Sequence, residues 1–204
     1  LNCNTIHNAY NPAWKQEISL DDLPANNYIL SYGRLYDGIK DFSFLIHSFN
    51  ASRVWKDGVS LVIMGDGPDK KMLQDLAASM PCNKHIVFLP FTKAPFGIIK
   101  NARCVTLTSF YEGFPMVLVE SLSVGVPVVS LDIVSGPSEI IQHNYNGLLV
   151  KERDPEKFAD ALGVICRDEV LYLKLKAQTQ GSVQQFSMQE ISAKWDKLLQ
   201  HVIR

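Results

Sequence analysis

The chain has 204 residues, 47% of them hydrophobic and 20% charged, and its 20 Lys and Arg against 21 Asp and Glu give a net charge of -1. That length supports one large or two small domains with a real core, and the balanced charge leaves no basic footprint for nucleic acid or an anionic membrane surface. No apolar run approaches the roughly 18 residues of a membrane span, and no signal peptide opens the chain. The scattered Cys3, Cys82, Cys104 and Cys166 lack metal spacing and read as reduced thiols of a cytoplasmic protein.

Residues 1–26 are rich in Asn, Asp and Pro and read as a linker or lead-in. Because the first residue is Leu1, the chain is expected to be a fragment or an excised domain. From Asn27 onward, strand and helix patterns alternate. Asn27 to Tyr32 is a strand and Phe42 to Trp55 a helix; Val59 to Met64 is a second strand, closed by Gly65-Asp66-Gly67-Pro68 and followed by a helix to about Met80. His85 to Leu89, Cys104 to Thr108, Val126 to Leu131 and Gly147 to Val150 complete six strands. This spacing predicts an α/β fold: a Rossmann-like doubly wound parallel sheet of about six strands, with helices on both faces and further helices at the carboxyl end. Asp154-Pro155-Glu156 opens a tail helix, and Ser187 with Glu190 forms a capping box ahead of a last amphipathic helix over 187–204.

The most informative stretch runs from Thr108 to Leu122. The segment from Met116 to Val124 is apolar on nearly every side, so a carboxylate set in it at Glu120 demands a partner. Pro115 sits where a first helical residue is pre-organised. The amides of Phe114, Met116 and Val117 would then be free at the positive end of the helix, where an anion such as phosphate binds. A nucleotide pocket is one reading; a loop charge at Glu112, and a core Lys or Arg pairing with Glu120, is the other.

With the strand order 3-2-1-4-5-6, the loops after strands one and four flank the crevice at the switch point. Arg34 and Lys40 then face Glu112 and the helix start at Pro115, two cations able to neutralise a diphosphate without a metal. The alternative makes Arg34 the salt-bridge partner of Glu120 or Glu112 and leaves Lys40 solvated. Gly65-Asp66-Gly67-Pro68 follows the second strand rather than the first, and reads as a turn whose glycines let a ligand or backbone approach closely. Ser135-Gly136-Pro137-Ser138-Glu139, after strand five at the same edge of the sheet, reads as a turn and helix start, with a sugar contact as the alternative. His7, His47, His85, His143 and His201 show no metal spacing and are expected to be structural.

These motifs together resemble the carboxyl-terminal half of retaining glycosyltransferases of the GT-B fold, the large family-four group. The resemblance rests on Glu112-Gly113-Phe114-Pro115 through Glu120, on Gly33-Arg34-Leu35 and Gly65-Asp66-Gly67-Pro68, and on Val87-Phe88-Leu89-Pro90, Ser135 to Glu139 and Asn146 to Val150, in order from about Ile6 to the end. It implies a nucleotide-sugar donor, UDP-linked in preference to GDP-linked, held by a domain over 27–186. Arg34 and Lys40 would hold the diphosphate beside Gly33 and Gly65. Glu112, Gly113, Phe114, Pro115, Met116 and Val117 would hold the sugar and distal phosphate, Glu120 the ribose, and Leu89 to Phe91 would border the base. Glu112, Arg34 and Lys40 are the implied catalytic residues, with retention of configuration, no cofactor and no metal needed for the chemistry. Lys40 lies six residues after Arg34, where the family commonly has five, and Asp41 stands where Gly or Asn is usual.

The resemblance also implies that a glycan or lipid-linked glycan acceptor binds through a missing amino-terminal domain toward which the last helix reaches, and that this chain alone turns over little. It places the whole protein in the cytoplasm, at the cytosolic face of a membrane. A non-catalytic nucleotide-binding module and a nucleotide-sugar epimerase are the alternatives on the same fold. A nicotinamide-dependent dehydrogenase lacks its glycine fingerprint after strand one.

Overall fold

Short apolar runs separated by helical segments become the strands of one sheet in the computed structural model, which describes residues 5–10 and 27–202. The strands are β1 (Tyr28–Tyr32), β2 (Ser60–Met64), β3 (Ile86–Leu89), β4 (Cys104–Leu107), β5 (Val128–Leu131) and β6 (Gly147–Val150). They lie in the order β3-β2-β1-β4-β5-β6, all neighbours parallel. This is the doubly wound sheet expected from the alternation. Much of the expected lead-in, with Cys3, lies in residues 1–4 and 11–26, outside the described residues.

Alternation along each strand divides the core between the two faces of the sheet. On one face Ile29, Leu61 and Ile63 pack with α2 (Phe42–Ser52), α3 (Lys70–Ser79) and α7 (Pro155–Arg167) through Leu45, Leu73 and Leu162. On the other, Leu30, Val62 and Met64 pack with α4 (Phe96–Lys100) and α5 (Met116–Ser123) through Ile99, Leu118 and Leu122. With both faces covered, the loops at the carboxyl edge of the sheet are left to build a site.

Several local expectations are corrected. The helix expected over Phe42 to Trp55 is preceded by a single turn, α1 (Asp37–Lys40), and stops at Ser52 because Arg53 turns left-handed with φ 56°. Pro115 is the N-cap of α5 rather than its first residue, with an extended ψ of 92°. α6 (Pro137–Ile140) forms as the Ser135 to Glu139 motif suggested, Glu139 Oε1 accepting from the Gly136 amide at 3.2 Å. The tail holds α7, α8 (Glu169–Ser182) and α9 (Met188–Val202); α8, begun by Asp168 accepting from the Leu171 amide, had no counterpart in the reading above. Of the expected capping box one bond is formed among the described residues, the Glu190 amide donating to Ser187 Oγ at 3.3 Å.

The glycine turn after β2 serves a backbone approach. Gly33 donates to the Met64 carbonyl, Leu35 to that of Asp66, and Asp69 to that of Leu35, so the loops after β1 and β2 are laced together. Gly65 has φ +152°, and a Cβ there would lie 1.9 Å from the Gly33 carbonyl oxygen; one on Gly67 would lie 2.3 Å from that of Leu35. Neither distance admits an atom.

Candidate functional site

The two loops that topology brings together do meet. Lys40 Nζ donates to Glu112 Oε1 at 2.6 Å, and Ser109 Oγ donates to the same oxygen at 2.6 Å. Lys40, expected to be solvated in the alternative reading, is thus the partner of Glu112. Arg34 is exposed and has no ion-pair partner among the described residues.

At the start of α5, no described group accepts from the Met116 or Val117 amides, and the first bond is that of Leu118 to the Pro115 carbonyl at 3.0 Å. The amide of Phe114 is likewise without a described acceptor. The turn before the helix is braced by Ser135 Oγ, which donates to the Glu112 carbonyl at 2.7 Å. It is also braced by Gly136, where a Cβ would stand 2.5 Å from Pro115 Cδ.

Glu120, one turn further along, finds neither a lysine nor an arginine among the described residues. Tyr32 Oη donates to its Oε2 at 2.7 Å, and lies 3.2 Å from the Val117 carbonyl. Burial pushes the Glu120 carboxyl above its ordinary 4.5, which the Tyr32 hydrogen bond offsets only in part. Burial, and then the neighbouring carboxylate, push the Tyr32 hydroxyl well above 10. Both carboxylates leave one oxygen without a described donor: Oε2 of Glu112 and Oε1 of Glu120.

A cleft of about 690 Å³ opens beside these groups, lined by Tyr32, Gly33, Arg34, Met64, Asp66, Phe91, Thr92, Lys93, Pro95, Phe96, Val117 and Glu120. Phe91 is 67% exposed at its rim, whereas Leu89 is 3% exposed; Leu89 and Gly65 are not among the lining residues. Lys40, Glu112, Gly113, Phe114, Pro115 and Met116 are absent from the lining as well. Tyr32, Asp66, Thr92 and Lys93 were missed; the aromatic and polar run Phe91-Thr92-Lys93, directly after β3 at the same sheet edge, was the available signal. A second hollow of about 560 Å³ lies between α2 and α7 around Ala51, Ala159 and Gly163, on the outer helical layer away from the loops at the carboxyl edge.

His7 packs against this turn. Its Nε2 lies 2.9 Å from Glu139 Oε2, and its ring packs 4.9 Å from that of Phe114 and 5.3 Å from that of Phe186. Tyr10 donates through its amide to the Phe186 carbonyl at 3.0 Å. The segment from Thr5 to Tyr10 therefore reaches the turn before α5. Among the described residues no three His, Cys, Asp or Glu side chains cluster as a metal site would require, and no helix is long and apolar enough to cross a membrane.

Residues 15–181 match the family described as Glycosyl transferases group 1. The lipopolysaccharide 1,6-galactosyltransferase of Escherichia coli is 30% identical over 176 residues, which cover 82% of this chain and 48% of that protein. The N-acetylgalactosamine-N,N'-diacetylbacillosaminyl-diphospho-undecaprenol 4-alpha-N-acetylgalactosaminyltransferase of Campylobacter jejuni is 30% identical over 180 residues, covering 87% of this chain and 48% of its own. This chain therefore spans about half the length of these curated relatives. The crystal structure of Anabaena HepE in complex with UDP shares the fold, with a TM-score of 0.84 and 21% identity over 96% of this chain and 57% of that one.

Proposed function

Because this chain belongs to the glycosyl transferases group 1 family, we propose that it is the donor-binding half of a glycosyltransferase that moves a sugar from a nucleotide-diphosphate donor to an acceptor with retention. The observation that carries this is the convergence, on one edge of the sheet, of Arg34 and the first amides of α5, neither with a partner among the described residues, and of the half-satisfied Glu120. The diphosphate lies between the Arg34 guanidinium and the Met116 and Val117 amides, a fork and a helix end that both favour anions. Glu120 accepts from the ribose hydroxyls through its open Oε1, and Phe91 borders the base.

Glu112, held by Lys40 and Ser109, faces the sugar. As the bond from sugar to phosphate breaks, negative charge grows on the leaving diphosphate. Arg34 and Lys40 stabilise it in place, an electrostatic task that elsewhere falls to a divalent cation. UDP is favoured over GDP, with support from the UDP-bound fold relative. The names of the bacterial relatives support a hexosyl or N-acetylhexosaminyl donor and a glycan or lipid-linked glycan acceptor. That acceptor binds through a second domain, at the cytosolic face of a membrane, and this chain alone turns over little.

Calorimetric titration with UDP, GDP and their sugar conjugates, with and without EDTA, tests the proposal. Micromolar to millimolar binding of UDP that survives EDTA is expected, and an absence of binding to any nucleotide, repeated in a two-domain protein, would overturn it.

A further inference from the structure

The Lys40 and Glu112 pair is held from behind by a side chain on a distant loop. Arg153 lies between β6 and α7, and its Nη1 is 2.5 Å from Asp41 Oδ2 and 3.0 Å from the Thr108 carbonyl oxygen. Its Nη2 donates to the Ser109 carbonyl at 2.6 Å, and the guanidinium sits 4.2 Å from the centre of the Phe110 ring. One planar fork thereby grips a carboxylate and two successive carbonyls, which the single amine of a lysine does not match.

Each group it grips adjoins a member of the pair. Asp41 directly follows Lys40 and is left-handed at φ 51°, a conformation uncommon outside glycine that the surroundings must hold in place. Thr108 Oγ1 lies 3.1 Å from the Lys40 carbonyl and 3.0 Å from that of Asp41, and the Phe110 amide donates to the Ile39 carbonyl at 2.9 Å. Ser109, whose carbonyl Arg153 holds, places its own hydroxyl on Glu112. Removal of the guanidinium takes away one tie on each side of the Lys40 to Glu112 contact at once.

We propose that Arg153 is a positioning residue of the donor site: by clamping Asp41 to the Thr108 and Ser109 carbonyls it sets the Lys40 amine and the Glu112 carboxylate where a donor meets them. This rests on the donor-site reading above, although Arg153 itself touches no donor. It also makes the loop between β6 and α7 part of the site's machinery.

The test has one arm without ligand and one with. In the free protein, the ammonium of Lys40, held by Glu112, is expected to give a protected Nζ–Hζ signal in nitrogen-15 spectra. Arg153→Ala is expected to lose it, and Arg153→Lys, which keeps the charge opposite Asp41 but not the fork, to weaken it. In titrations with UDP, Arg153→Ala and Lys40→Ala are each expected to weaken binding about tenfold, and the double variant to be no weaker than Lys40→Ala alone.

A Lys40 signal unchanged in Arg153→Ala overturns the proposal, as do additive losses in the double variant. If Arg153→Ala does not fold, the spectrum and titration of Arg153→Lys decide by the same criteria. Failure of the wild-type chain to bind UDP would count against the donor-site reading, whereas the Lys40 signal still decides whether Arg153 sets the pair.

Discussion

Glu120 offers a test in which binding and stability move in opposite directions. Its Oε2 already accepts from Tyr32, so a ribose can use Oε1 and the remaining lone pair for two hydroxyls. At about 1.5 kcal/mol for each hydrogen bond to a charged group, Glu120→Ala should cost about 3 kcal/mol of UDP affinity, roughly a hundredfold. Glu120→Gln keeps the shape and an acceptor for Tyr32 but loses the charge, and should cost about tenfold.

Stability behaves differently. Burial raises the folded carboxyl above the ordinary 4.5, so between these two values the folded state holds a proton that the unfolded state has released. The folded state is then favoured below about pH 4.5, and that advantage is lost as pH rises through the folded value. Urea denaturation of wild type and Glu120→Gln from pH 4 to pH 8 should therefore show the variant gaining on the wild type as pH rises. A variant that instead loses ground toward pH 8, or whose UDP affinity is unchanged in a folded protein, would refute the assignment.

Arg34→Ala should weaken UDP binding about ten- to a hundredfold in the same calorimetry while leaving the thermal midpoint within a degree or two, since Arg34 holds no described partner. Gly65→Ala should cost more than about 3 kcal/mol in chemical denaturation or prevent folding, because the new methyl would sit 1.9 Å from the Gly33 carbonyl oxygen. His7→Ala removes the ring that packs on both Phe114 and Phe186 and the partner of Glu139, whose carboxyl His7 holds below its ordinary 4.5. A depressed carboxyl lends stability above about pH 4.5 that is lost as pH falls through its folded value. The acid limb of the denaturation profile should therefore flatten in His7→Ala, with UDP binding weakened two- to fivefold.

What the sequence made legible follows from where the relevant forces act. Lys40 and Glu112 were placed together because a parallel sheet of known order leaves few choices for the loops after its first and fourth strands, and 72 residues of separation did not matter. The alternative in which Glu120 pairs with Lys or Arg overlooks Tyr32 because, at the end of β1, it reads as one more core aromatic; its hydroxyl direction depends on the β1 to α5 packing. Arg153 was invisible for another reason. It stands 112 residues from Asp41 in a polar turn without periodicity, and only the return of β6 to the sheet edge delivers it. Pro115 was off by one position because helix boundaries depend on the turn before them, here fixed by Ser135 and Gly136 from another loop.

The two carboxylates share a further property that narrows what the site can accept. On Glu112 a lysine and a serine crowd one oxygen, and on Glu120 a tyrosine occupies one, so each is anchored through a single oxygen and left open at the other. The buried side-chain atom that lacks a hydrogen bond among the described residues is Asn50 Oδ1, which means that neither open carboxylate oxygen is sealed in the core. An anchored carboxylate with an exposed acceptor suits a hydroxyl donor and repels a phosphate, whereas the Arg34 guanidinium and the amides of Met116 and Val117, which have no partner among the described residues, suit the reverse. Acceptors at Glu112 and Glu120 around a positive centre match a ligand with hydroxyls at both ends and a diphosphate between them, a pattern that a nucleoside diphosphate sugar has and a simple nucleoside triphosphate lacks. UDP-sugar should accordingly bind this site at least as tightly as UTP at equal ionic strength. A clear preference for UTP would mean that Glu112 faces away from the ligand.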